Sequence, residues 1–81
     1  MPKFFLHLRD GTDETLDPDG LECATMDSLR QTVLVNARGM IGDEVKRGGV
    51  IDLRFRIDAE DEGGKVRYSL PFRNAVNVID G

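Results

Sequence analysis

Residues 3–9, Lys-Phe-Phe-Leu-His-Leu-Arg, alternate with a strand's period, placing Phe4, Leu6 and Leu8 on one face and Lys3, Phe5, His7 and Arg9 on the other. Asp10-Gly11 ends the run with turn chemistry, and Asp17-Pro18-Asp19-Gly20 is a second turn signal. The short stretches Glu14–Leu16 and Leu21–Cys23 between and after these turns are expected to pair along the sheet edge. The pattern then changes period. From 26 to 47, Met26, Leu29, Val33, Leu34, Ala37, Met40, Ile41 and Val45 fall on one arc at about 100° per residue, which predicts a single long helix with that arc toward the core. Arg30 and Glu44 project toward the same arc and must reach past it to water. Thr25 is the expected N-cap, Lys46 and Arg47 suit the negative helix end, and Gly48 stands where a left-handed residue is wanted.

Alternation resumes at residues 50–59, predicting a strand with Leu53, Phe55 and Ile57 inward and Asp52, Arg54, Arg56 and Asp58 outward. Glu60 to Lys65 makes a hairpin loop into a strand with Val66, Tyr68 and Leu70 inward and Arg67 and Ser69 outward. Two registers keep both inner faces together. One opposes Asp58 with Arg67 and Glu60 with Lys65; the other uses Gly63-Gly64 as the turn and opposes Glu60 with Arg67. After Pro71-Phe72, residues Ala75, Val76, Val78 and Ile79 read as a turn followed by a short strand or extended tail. One-sided strands and one amphipathic helix predict a two-layer α+β fold, with an antiparallel sheet of three to four strands covered on one face by the helix. Nothing resembling a linker or repeat divides the chain, so residues 1–81 are read as one domain.

Composition narrows the function more than the fold. The chain of 81 residues is 40% hydrophobic and 32% charged, with a net charge of −4. That balance suits a globular domain and disfavours a partner held by its phosphate backbone. The one cysteine, Cys23, cannot close an intramolecular disulfide, and no apolar segment follows Met1-Pro2-Lys3 as a signal or spans a bilayer, so a cytoplasmic location is expected.

Candidate chemistry is sparse. His7 is the only histidine; as a general base it would need an adjacent nucleophile and an orienting group, and neither Asp10, Cys23, Ser28 nor Ser69 carries such a motif. It is read as a strand-end residue, and no catalytic residue is assigned. The stretch 10–20 carries Asp10, Asp13, Glu14, Asp17 and Asp19 but lacks the spacing of a calcium loop, and a lone Cys and a lone His do not make a zinc site, so neither metal nor cofactor is expected. Two surfaces remain. The outward sheet face gathers Lys3, Phe5, His7, Arg9, Arg54, Arg56 and Arg67, which could meet an acidic protein or track a nucleic acid, although Asp52, Asp58 and Glu60 on the same strands can neutralise it. The helix's back carries Val35, Gly39, Gly42 and Lys46. Each mid-helix glycine costs about 1 kcal/mol relative to alanine, which is explained if this face meets a second copy, if the helix bends there, or if the cost is simply tolerated.

Phe4-Phe5, Asp10-Gly11, Gly20, the long helix and Leu70-Pro71-Phe72 together resemble a family of small bacterial domains of unknown function, which open on an F-F-x-x-x-x-D-G strand and close near a V/L-P-F motif. The resemblance runs the length of the chain. Its motifs are turn glycines and strand aromatics, so it implies a fold and no activity, substrate or catalytic residue. Gly39 and Gly42 depart from that pattern, where family helices tend toward alanine and charged residues. The strand–turn–helix order is also similar to that of antitoxin domains. The function expected on these grounds is a non-enzymatic protein-interaction or accessory module, able to form a homodimer. The alternative is a nucleic-acid-associated regulator or antitoxin-like partner working through the basic outer sheet face.

Overall fold

The computed structural model describes residues 1–79; the last two positions of the predicted 1–81 domain lie outside the described residues. The strands are β1 (Lys3–Arg9), β2 (Glu14–Thr15), β3 (Leu21–Glu22), β4 (Arg56–Asp61) and β5 (Val66–Pro71), with helix α1 (Met26–Gly48) between β3 and β4 and a 3₁₀ turn (Phe72–Asn74) after β5. All five strands form one antiparallel sheet in the order β2-β1-β4-β5, with β3 also paired to β1. The fold is therefore α+β, as the periodicities predict. The two edge ladders raise the strand count above the three to four expected.

The helix begins where the sequence says it should. Thr25 is extended, and its hydroxyl accepts from the Ser28 N–H at 3.0 Å, satisfying one of the first-turn donors. Its end lies one residue later than read: Gly48 is still helical, and Gly49 takes the left-handed conformation (φ 70°) with its N–H donating to Val45 O at 2.9 Å. Leu29, Val33, Ala37 and Ile41, four residues apart, are buried. They pack with Ile57, Ala59, Leu70, Phe72 and Ala75, and with Phe4 and Cys23. Alanine at 37, 59 and 75, each buried almost completely, puts only a methyl group between the layers at these positions. Met26, Leu34 and Met40 are only half-buried, and Val45 is exposed, so the core stripe is narrower than the predicted arc.

Three strand expectations need correction. Residues 50–55 are not strand: β4 begins at Arg56, opposite Arg9 at the end of β1, so no neighbouring strand reaches 50–55. Asp52 instead turns the chain, its Oδ1 accepting from the Arg54 N–H at 3.0 Å, and Arg54 leaves the sheet face assigned to it. In the hairpin, Asp58 opposes Ser69 and Ala59 opposes Tyr68, the second of the two registers, but the register shifts between Ala59 and Glu60 and places Val66 opposite Glu60. The Glu60–Arg67 opposition is therefore lost, and Val66 sits with Glu60 on the outer face, 45% exposed, instead of inward. The turn is a three-residue loop closed by Asp61 N–H to Lys65 O (2.9 Å) and Gly64 N–H to Asp61 O (3.0 Å), with Gly64 at φ 84°. After the 3₁₀ turn, Ala75 is buried, and residues 77–79 form no strand, with Val78 and Ile79 exposed.

Candidate functional site

The sheet's outer face is organised by a buried carboxylate. Asp58, 5% exposed, opposes His7 on one side and Ser69 on the other. Its oxygens accept from Ser69 Oγ at 2.7 Å, Arg9 at 2.9 Å and Arg56 Nε at 3.2 Å. Burial works against its charge more strongly than any single partner favours it, but Ser69, Arg9 and Arg56 together prevail and hold the carboxyl below the usual carboxylate range. Arg9 also donates to Glu14 (2.9 Å) and Glu60 (2.7 Å), so one guanidinium serves three carboxylates. Lys3 lies 5.6 Å from the Phe5 ring centroid, and Phe5 stacks on His7.

His7 has a structural task. Its Nδ1 accepts from the Asp17 N–H at 3.0 Å, which places the ring proton on Nε2, 3.6 Å from Glu60. Asp17 fills the gap between the two edge ladders: Oδ2 accepts from the Leu6 N–H, while Oδ1 accepts from those of Asp19 and Gly20. Burial opposes its ionisation, yet the donors Gly20, Leu6 and Asp19, with His7 nearby, keep the Asp17 carboxyl below its ordinary range. Asp10 likewise caps the preceding turn through Thr12 and Asp13. Among the described residues no group of three or more His, Cys, Asp or Glu side chains is placed to hold a metal ion.

Of the residues assigned to the basic sheet face, Lys3, Phe5, His7, Arg9 and Arg56 do come together on β1 and β4. Arg54 does not: it lies in the turn before β4, bound to Asp52, whose carboxyl it draws down to about 2. Arg67 sits at the register shift with its guanidinium 3.5 Å from Asp61, which opposes Phe4 on the helix-side face. On the helix's back, Val35, Gly39, Gly42 and Lys46 are all exposed, and a Cβ added at either glycine would meet nothing within 4 Å. The described residues thus supply no neighbour that explains these glycines.

The helix-side face carries a surface the sequence reading missed. The helix contacts β4, β5 and the 3₁₀ turn, leaving Leu6 and Leu8 of β1 half-covered. Beside them runs an apolar groove in two reaches. One, of about 430 Å³, is lined by Leu8, Ile41, Val50, Ile51, Phe55 and Phe72. The other, of about 340 Å³, is lined by Leu6, Leu16 and Leu21 with Asn36. Leu8 and Met40 line both, so the two reaches are neighbours. Reading 50–55 as strand hid one wall, since Val50 and Ile51 are 68% and 46% exposed rather than paired in a sheet. The available signal was the Val-Ile pair directly after the helix's terminal glycines.

The model of a family described as a domain of unknown function, DUF6894, matches residues 3–73. The chain belongs to this family. The match covers every described strand and the helix. No curated protein and no solved structure matches the chain. No helix among the described residues is long and apolar enough to cross a membrane.

Proposed function

We propose that this DUF6894 chain is a non-enzymatic interaction module that receives another protein in the groove between α1, the inner face of β1 and the segment 50–55. One observation carries the reading: two apolar pockets open next to each other on the helix side, with Leu8 and Met40 in the lining of both. An unbranched thioether adapts to varied apolar surfaces, which suits a residue shared by both reaches. The outer sheet face offers less to a partner. Arg9 and Arg56 are spent on Asp58, Glu14 and Glu60, so little positive charge remains for nucleic acid. A catalytic role has less support, since His7 Nδ1 is engaged by the Asp17 amide and, among the described residues, the side chains that stack on it or pair with it are Phe5 and Glu60. The buried free thiol of Cys23 fits a reducing compartment such as a bacterial cytoplasm.

The test replaces Met40, or separately Phe5, with a photo-crosslinking phenylalanine in the full chain expressed in its native cell. A protein adduct from position 40 that survives nuclease, and exceeds that from position 5, is expected. Adducts confined to position 5 and abolished by nuclease would overturn the reading in favour of nucleic acid on the outer face.

A further inference from the structure

Resting on the docking reading above, we infer that the groove's occupant is a basic amphipathic segment of a different protein, with aliphatic side chains on the face it buries and lysine or arginine along its flanks. Charge selects it. The lining residues include four carboxylates, Asp17, Asp43, Glu44 and Asp52, and one guanidinium, Arg47. Arg54 outside the lining also pairs with Asp52, and backbone amides hold Asp17, so four carboxylates against two guanidiniums leave the rim acidic. Arg47 is already held by Glu44 at 2.6 Å. Asp43 and Glu44 are exposed on the helix and line the same pocket as Leu8, Phe55 and Phe72. An apolar segment entering there gains from burial and carries its cations to that rim; an acidic one meets like charge while losing water.

The same argument excludes a second copy. This chain has a net charge of −4, and a two-fold contact through the groove would set one acidic rim against another. Size is consistent with a short segment. From Asn36 to Arg47 the helix wall runs roughly 16 Å at the usual rise, the length of about three helical turns or five extended residues.

Two twelve-residue probe peptides test this, both with leucine at helical i, i+3, i+4, i+7 spacing, one with lysine and one with glutamate at the remaining positions. Amide shifts of the full chain, isotope-labelled, report where each binds. The lysine peptide should bind about tenfold more tightly than the glutamate peptide, perturbing Met40–Glu44 and Val50–Asp52, and should weaken with salt. The double reversal Asp43→Lys/Glu44→Lys should weaken it about tenfold, whereas Asp13→Lys/Glu62→Lys, on exposed loops away from the groove, should change it less than about twofold. Lysine near a helix C-terminus is electrostatically favourable, so the groove variant should remain folded. Equal weakening by both double variants would reduce the effect to net charge and refute the inference, as would shifts centred on the outer sheet face. Groove shifts of equal affinity from both peptides would refute the basic partner while leaving the docking reading standing. Failure of the position-40 cross-link would remove the docking reading itself.

Discussion

Replacing Asp58 with alanine probes the outer face at its centre. The substitution leaves Ser69 Oγ without its 2.7 Å acceptor and deprives Arg9 and Arg56 of a carboxylate each. Removing one partner of a buried ion pair typically costs about 3–5 kcal/mol. Arg9 keeps Glu14 and Glu60, and the Arg56 side chain is 40% exposed and well screened, so the expected loss is lower. We expect about 2–3 kcal/mol. Against a total of about 5–15 kcal/mol, that is a substantial share, read as a lowered urea midpoint at unchanged slope. Ser69→Ala, which leaves both arginines in place, should cost only about 1 kcal/mol. The pH dependence carries the sign. The folded Asp58 carboxyl titrates below its unfolded value, so its contribution is complete above the unfolded pKa and is lost as pH falls through the folded one. The gap between wild type and Asp58→Ala should therefore be full at neutral pH and narrow progressively below about pH 4. An Asp58→Ala protein within about 0.5 kcal/mol of wild type, or a gap that does not change on acidification, would refute this account of the network.

Asp17→Ala should expose the Leu6 and Gly20 amides to faster hydrogen exchange and cost about 1–3 kcal/mol, because donors satisfied by the carboxylate lose their acceptor. In wild type the same protection should fade as pH drops through the lowered pKa of Asp17, with unaltered exchange counting against its bridging role. The double substitution Gly39→Ala/Gly42→Ala meets open space at both positions and should stabilise the monomer by about 1–2 kcal/mol. Sedimentation across a concentration series checks the alternative: a wild type that dimerises and a double variant that does not would assign those glycines to a close contact between copies.

The Thr25 hydroxyl marked the helix cap, and periodicity located the helix, the three main strands in outline and the inner face of β1, because one-sided burial writes itself directly into the sequence. It failed where an outcome depends on what lies opposite. Val50 to Phe55 alternates as well as any strand, but a strand needs a partner, and β1 has already ended at Arg9. The hairpin turn signal left two registers, and the shift at Glu60 produced a local mixture that neither had anticipated. Alternation also assigns a face without giving depth. Asp58 reads as an outward charge, and it is outward, yet the long side chains of Arg9, Arg56 and Glu60 around it leave it buried. The groove was the least legible feature. It exists because the helix lies closer to β4 and β5 than to β1, an offset to which the pattern of apolar residues is blind.

Whether this chain meets other molecules through the groove or through the outer sheet face can be read from thiol protection in its native extract. Cys23 is buried, so a single introduced cysteine dominates labelling by a maleimide. Ile51 in the groove and Val66 on the outer face are almost equally exposed, at 46% and 45%, and Ile51→Cys and Val66→Cys therefore start from comparable reactivity. On moving from buffer to extract, labelling of Ile51→Cys should slow by about tenfold while Val66→Cys is unchanged, the loss being reversed by an excess of unlabelled wild-type protein. Protection of Val66→Cys with Ile51→Cys left open would contradict the groove as the interaction surface.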